Sequence, residues 1–426
     1  MTTTTAPDIS VDDFAAEAAA WLEEHATPKS GSEQKELVWG EGDFSVSVFH
    51  AMTFEEERDY IESLKAWQQL KATKGYHAIT KDPAVGGLGL SKQHARAFNK
   101  LAAGYQSPGG HEIMGVTTGL IAPTIELFGT DEQKERYVAS FLRTDELCCQ
   151  LFSEPGAGSD LAVLGCRAER DGDGWVVNGS KVWSSAAQFS EFGELIARTD
   201  PDAPKHAGMT AFIVPLDLPG IEVRPIKQMS GGSSFNEVFF TDVHVPDSMR
   251  LGEVGAGWKV ALTTLSFERD HSDSGSSGSG GRAGGSWSQA LATAQAMGVT
   301  GDPLVRQRLM ELFTHHRIEG FVNRRAADIR RSGAQPGPEG SLGKLLWTEG
   351  MNLLSDVISE VLGARLVADT GEWGTYAWGE HLLGAPGYRI AGGSDEVQRN
   401  IIGERVLGLP REPSIDKKTP WRDIPK

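Results

Sequence analysis

A change of hydrophobic period between Leu147 and about Gly252 sets the architecture of this chain. Outside that stretch apolar residues recur at helical intervals; inside it they alternate, so a β unit is inserted between helical parts. Upstream, Ser10 precedes Val11, Phe14, Ala18 and Leu22, and the run from Phe54 to Leu70 carries Ile61, Leu64 and Trp67 at helical spacing. Gly86-Gly87-Leu88-Gly89-Leu90 interrupts this pattern, Ser91 restarts it, and Thr130-Asp131-Glu132-Gln133 has the form of a capping box. Inside the alternating stretch, Asn178-Gly179 between Trp175-Val176-Val177 and Lys181-Val182-Trp183 predicts a hairpin turn. Glu194 to Arg198, Met209 to Val214, Ile221 to Ile226 and Glu237 to Val245 predict further strands.

Downstream, helices are expected from Gly257 to about Arg269, from Asp302 to Arg331, from Ser341 to about Asp369, and from near Ser394. The Ser-, Gly-, Asp- and Arg-rich segment Asp270 to Ser286 reads as a flexible loop, and the tail after Pro410 is expected to pack only loosely. The expected fold class is α+β: an N-terminal α-helical domain (1–145), a middle β-barrel or sandwich domain (146–252), a C-terminal α-helical bundle (253–412) and a tail (413–426). A crevice where the three parts meet is a natural ligand site.

The loop Phe152-Ser153-Glu154-Pro155-Gly156-Ala157-Gly158-Ser159-Asp160 puts hydroxyls, carboxylates and bare glycine N–H groups into nine residues. Such a loop can approach something anionic or flat; a plain glycine-rich surface turn is the alternative. The segment after it, from Leu161 on, is strand-like, so the helix N-terminus on which phosphate and dinucleotide loops depend is missing.

With 41 basic against 58 acidic residues the chain carries a formal charge of −17 and no concentrated basic stripe, which argues against nucleic acid and against an anionic membrane surface. Cys148, Cys149 and Cys166 make neither a disulfide framework nor a zinc spacing, so no metal is expected and a reducing compartment is favoured. The acidic stretch Met1 to His25 has no signal- or transit-peptide pattern, and no run reaches the roughly 18 apolar residues of a membrane span. A soluble, cytoplasmic protein is the expectation.

Motifs along the chain carry a resemblance. Ser153-Glu154-Pro155-Gly156-Ala157-Gly158-Ser159-Asp160, Lys181-Val182-Trp183-Ser184-Ser185, Phe240-Thr241-Asp242-Val243-His244-Val245-Pro246, Gly255-Ala256-Gly257-Trp258 and Gly393-Ser394-Asp395-Glu396-Val397-Gln398-Arg399-Asn400-Ile401-Ile402 follow one another in order. In this the chain resembles the acyl-CoA dehydrogenases, FAD enzymes of α/β/α order. The resemblance implies oxidation of an acyl-CoA thioester to its trans-2-enoyl form in fatty-acid or lipid breakdown, with electron-transfer flavoprotein as acceptor and a homotetrameric or heterotetrameric assembly. It implies that Phe152, Ser153, Gly158 and Ser159 meet the flavin, with Ser159 also touching the thioester arm. Trp183 would lie against the ring and Ser185 at its edge, with Ser394 and Glu396 as further cofactor contacts. A flat amphipathic ring asks for this combination of aromatic face and fixed donors.

The family's commonest base is a Glu immediately before the Gly matched here by Gly393, and this chain has Gly392 there, after Ala391. The N–H of Gly392 could still donate to the thioester oxygen. A minority branch, including isovaleryl- and long-chain-type enzymes, carries the Glu on the helix before the loop, matched by Phe267-Glu268-Arg269. Helical spacing puts Trp258, Leu262 and Leu265 on one apolar face and Glu268 on its flank, where partial desolvation raises a carboxyl toward a useful base. The other reading of Glu268 is a structural ion pair or a solvated helix end. Asp270 and Asp273 are the fallback bases, and Arg269 would hold the helix and contact the substrate electrostatically. The Arg and Phe-Gly that hold the FAD pyrophosphate in relatives are replaced by Asp302-Pro303-Leu304-Val305-Arg306-Gln307-Arg308, leaving Arg306 or Arg308 to supply the charge. A flavin monooxygenase or acyl-CoA oxidase of the same fold, or a non-catalytic subunit of a heteromeric dehydrogenase, are the alternatives.

Overall fold

The computed structural model describes residues 9–29, 39, 45–49, 51–272, 284–332, 337–371, 374, 376–411, 413 and 418–424, without the side chains of 268–272, 330 and 331. The first helices are punctuated as their sequence asks. α1 (Val11–His25) starts at Ser10, whose hydroxyl accepts from the Asp13 N–H. α2 (Phe54–Ala72) starts at a full Thr53/Glu56 capping box. With α3 (Lys92–Ala102) they enclose a satellite core of Phe14, Trp21, Leu22, Tyr76 and Phe98. The glycine break has a steric reason: a Cβ on Gly87 would stand 2.1 Å from the Lys81 carbonyl oxygen.

Next come α4 (Glu112–Gly115), α5 (Ala122–Phe128), α6 (Asp131–Gln133) and α7 (Ala139–Arg143), with π-helical turns at Val116–Ile121 and Lys134–Val138. The capping box at Thr130 and Gln133 is present.

The strands are β1 (Cys148–Leu151), β2 (Arg167–Asp171), β3 (Gly174–Ser185), β4 (Phe192–Arg198), β5 (Met209–Pro215), β6 (Ile221–Ile226), β7 (Phe235–Pro246) and β8 (Arg250–Leu251). They form an eight-stranded sheet in the order β6-β7-β3-β2-β4-β5-β8, with β1 parallel to β4. One core joins this sheet to the helices before it and to Val260 and Ala261 after it. Thr117 ties the helical part to β1, its hydroxyl accepting from the Cys148 N–H at 3.0 Å.

The Asn178-Gly179 hairpin does not form. β3 runs straight through it, and the turn between β2 and β3 falls after Asp171. Asn-Gly instead makes an irregularity in the β3–β7 ladder, where Asn178 exchanges two hydrogen bonds with Asp242 at 3.0 and 3.1 Å. Gly179 has φ +145, and a Cβ there would stand 2.7 Å from the Cys166 Cα, so the glycine serves a close backbone approach rather than a turn.

The C-terminal helices are α8 (Gly257–Ser272), α9 (Trp287–Ala296), α10 (Pro303–Arg331), α11 (Gly340–Leu362), α12 (Ala377–Tyr388) and α13 (Asp395–Ile401). α9 and α12 were not legible as helices, being short and rich in small residues. α11 ends at Leu362 rather than near Asp369, because Gly363 turns left-handed with φ 51. Residues 273–283 of the expected loop lie outside the described residues, while Asp270 still belongs to α8 and Ser286 caps α9. The apolar face expected on α8 is also revised. Leu262 is 43% exposed, and the buried stripe is Gly257, Val260, Ala261 and Thr264.

The described part of the tail, 418–424, packs against the protein where loose packing was expected. Residues 418–424 lie on the β domain, with a bridge from Pro420 to Pro204 and the Trp421 indole N–H donating to the Val163 carbonyl at 3.0 Å. Among the described residues no helix is long and apolar enough to cross a membrane.

Candidate active site

The loop after β1 is bolted to β3 by a buried charge. The Lys181 side chain is fully enclosed, and its ammonium donates to the Phe152 carbonyl at 3.0 Å and to the Glu154 carboxylate at 2.7 Å. Glu154 also accepts from the backbone N–H groups of Gly165 (2.7 Å) and Cys166 (2.9 Å), so its lone pairs are spent on holding the loop. The Val182 N–H donates to the Ser153 carbonyl at 2.9 Å, bringing Phe152 and Ser153 alongside the end of β3. Asp160 pairs with Lys205 at 2.7 Å. Between these fixed points Gly156, Gly158 and Ser159 face outward. A Cβ at either glycine would meet nothing within 4 Å, so the chain's own packing does not require glycine there.

The end of β3 is distorted where an aromatic is presented. Trp183 has φ 61, a left-handed conformation unusual for a bulky residue, in a register shift between Lys181 and Ser184. Its neighbours Val182 and Ser184 are buried, whereas Trp183 is 59% exposed, edge-on to Phe235 at 6.0 Å. Strain of this kind costs about 1–3 kcal/mol and persists where a site needs it. Ser185, next but one, is half-buried, and Glu112 stands in the first turn of α4. Glu112 is exposed, yet desolvation by the protein around it holds its carboxyl above the usual range, opposed by His111 and Ser185. Glu112 is missed by sequence reasoning because an acid in a first helical turn is ordinary.

On the C-terminal side the chain turns left-handed twice, at Gly392 (φ 63) and Gly393 (φ 84). The Gln398 amide donates to the Gly392 carbonyl at 2.9 Å and Lys344 to the Gly393 carbonyl at 2.7 Å. Among the described residues the Gly392 N–H has no acceptor. Ser394 caps α13, accepting from the Val397 N–H at 3.4 Å, and Glu396 is exposed near Arg399 at 3.9 Å. Asp395 is the buried anchor, bonded to Arg389 and Thr348 at 2.8 Å each.

Glu268 and Arg269 belong to α8 by their backbone; their side chains lie outside the described residues, as does Asp273 entirely. In the helix register position 268 follows one turn after Thr264. Thr264 pins α8 from two sides, with its hydroxyl 2.8 Å from Glu194 on β4 and 3.0 Å from Thr124 on α5. Of the two arginines early in α10, Arg308 is committed to Glu311 (2.7 Å) and Glu360 (3.0 Å), while Arg306 is exposed.

Three consecutive stretches match family models: residues 45–145 the acyl-CoA dehydrogenase N-terminal domain, 149–243 the middle domain and 255–407 the C-terminal domain. The acyl-CoA dehydrogenase IpdE1 of Mycolicibacterium smegmatis is 38% identical over 367 residues, covering 84% of this chain and 91% of that protein. The chain belongs to the acyl-CoA dehydrogenase family. It is an oxidoreductase whose cofactor is FAD.

Among solved structures, the Tcur3481-Tcur3483 steroid ACAD superimposes with a TM-score of 0.69 at 25% identity, over 94% of this chain and 98% of that one. The ChsE4-ChsE5 complex from Mycobacterium tuberculosis gives 0.66 at 26% identity, over 97% and 100%. The residues of this acyl-CoA dehydrogenase fit a flavin ring. The outward Trp183 face, the Ser153 and Ser185 hydroxyls and the open backbone at Gly158 are what a flat, hydrogen-bonding ring would occupy. The fit is weaker at Ser394, whose hydroxyl already caps a helix.

Proposed function

We propose that this acyl-CoA dehydrogenase converts an acyl-CoA to its trans-2-enoyl-CoA, with Glu268 as the base that takes the α-proton. The observation that carries the reading is the pair of left-handed glycines, Gly392 and Gly393, where no acid is available, with Gly392 keeping an uncommitted N–H. A backbone donor there can hold the thioester oxygen as negative charge develops on it, which acidifies the neighbouring carbon. The base must then come from another element. Glu268 stands one turn after Thr264 in the register of α8, and a carboxylate bordering an apolar face is the kind of group that can accept the proton. FAD, when bound, supplies the acceptor for the β-hydride. Phe152, Ser153, Gly158, Trp183 and Ser185 hold the ring, Ser159 meets the thioester arm, and Arg269 contributes positive charge beside the base. Arg306, Ser394 and Glu396 reach other parts of the cofactor.

The substrate is a bulky, ring-bearing acyl-CoA. Support comes from the small residues Gly392 and Gly393 and from the neighbour described as a steroid ACAD. Electron-transfer flavoprotein is the acceptor. Assembly is oligomeric, and a second chain completes the FAD site that Arg306 holds incompletely; the neighbour described as the ChsE4-ChsE5 complex supports a heteromeric form. The test is flavin bleaching and enoyl-CoA formation across acyl-CoAs from short to steroid-like, with an artificial acceptor. Glu268→Gln should stay yellow and lose turnover; full activity in that variant removes Glu268 as base.

A further inference from the structure

Residues 418–424 make their contacts on the parts of the β domain that hold the far end of the 152–160 loop. The centre is Arg198, at the end of β4 and only 2% exposed. One of its terminal nitrogens donates to the Ala162 carbonyl at 2.6 Å and lies 3.5 Å from that of Leu164; the other donates to the Lys205 carbonyl at 2.8 Å. The Lys205 ammonium in turn pairs with Asp160 at 2.7 Å.

The remaining nitrogen, Arg198 Nε, finds no hydrogen-bond acceptor among the described residues. The guanidinium meets the Trp421 ring instead, at 5.0 Å. The same indole donates from Nε1 to the Val163 carbonyl at 3.0 Å, so three successive carbonyls, 162 to 164, are gathered by Arg198 and Trp421. A Cβ on Gly165 would stand 3.7 Å from the Trp421 ring. The tail is seated by its own backbone as well. The Trp421 and Arg422 N–H groups donate to the Ala203 and Pro201 carbonyls at 3.0 and 3.1 Å, and Arg422 pairs with Asp202 at 2.6 Å.

The arc Gly156-Ala157-Gly158-Ser159 is thus fixed at two ends by different means. One end is bolted within the β domain through Glu154 and Lys181; the other is gathered by Arg198 under a residue more than two hundred positions away in sequence. Backbone without side chains, as at Gly156 and Gly158, has many conformations to lose, so its placement depends on how firmly the ends are held. We infer that residues 418–424 are a strap that holds Gly158 and Ser159 in place for the acyl-CoA arm, with Trp421 as a positioning residue acting through Arg198 and Val163. This rests on the reading of Ser159 as a contact of the thioester arm.

The test uses the full-length, flavin-loaded enzyme and Trp421→Ala, with Trp421→Phe as the milder variant that keeps the ring and loses the bond to Val163. Trp421→Ala should raise KM for acyl-CoA by about tenfold while kcat changes less than about twofold, the pattern of lost ground-state binding. Flavin content should be retained, and backbone hydrogen exchange over 156–164 should quicken. Trp421→Phe should fall between the two for both readouts. Unchanged exchange over 156–164 in Trp421→Ala overturns the strap, as does KM unchanged in a variant whose Ser159→Ala counterpart does raise KM. If Ser159→Ala leaves KM unaltered, the reading of Ser159 fails, and the exchange result alone decides the strap.

Discussion

Two carboxylates in the β domain are withdrawn from water and held in opposite ways. Glu154 meets a buried ammonium and two backbone N–H groups. Glu194 meets only the Thr264 hydroxyl on one oxygen, and its other oxygen has no partner among the described residues. Burial therefore pushes the Glu194 carboxyl up to about 8, opposed only by Thr264. Glu154 fastens the 152–160 loop; Glu194 fastens α8, the helix that carries position 268. The loop is thus held by charge, whereas α8 is held by a neutral hydroxyl–carboxyl pair that pH can reach.

The largest effect is expected on the helix side. Glu268→Gln should lower turnover by about 10²–10⁴-fold, the range for a lost general base, with the flavin spectrum intact; steady-state rates with an artificial acceptor measure it. On the loop side, Lys181→Met leaves Glu154 buried without its cation and should destabilise the protein by about 3–5 kcal/mol in denaturant titration. Adding Glu154→Gln should restore part of that loss and not the flavin affinity, since the loop also leans on the Phe152 carbonyl bond.

Glu194 separates the two carboxylates through pH. Its native pKa lies above the unfolded value of 4.5, so between about 4.5 and 8 the native state holds a proton that the unfolded chain releases. Stability contributed by this group is full below 4.5 and declines as pH rises through 8, at about 1.4 kcal/mol per pKa unit of difference. Glu194→Gln should remove that slope from a stability profile, and an unaltered slope would mean that Glu194 is not its source.

The smallest effect belongs to Trp183. Trp183→Gly relieves a left-handed backbone and should raise stability by about 1 kcal/mol in thermal melts. The same change should weaken flavin binding by about 0.5–1.5 kcal/mol, the worth of an aromatic pair, as read by flavin titration. Stability and cofactor affinity moving in the same direction would count against Trp183 as the strained face of the site.

How much of the site was legible depended on what each residue needs for its role. Phe152, Ser153, Gly158 and Ser159 could be proposed because the motif that carries the family resemblance is one contiguous stretch of sequence. Glu112 and Glu194 could not, because an acid at a helix start or inside a strand acquires its environment only from elements far away in sequence. The Asn-Gly pair misled for the same reason: the dipeptide does favour a turn, and the approach of Cys166 gives Gly179 another use.

The amino-acid sequence alone was enough for the succession of helical, alternating and helical parts, the helix starts near Ser10 and Ser394, the capping box at Thr130, and the absence of an acid at Gly392. Each of these depends on side-chain periodicity or on bonds that span only a few residues. The closed tertiary structure was needed to settle which way Trp183 faces, which stripe of α8 is buried, that Thr264 joins α5 to β4, and that Trp421 returns to cover Arg198. Those outcomes depend on pairing buried polar groups across long sequence distances, a condition that exists only once the chain has closed around them.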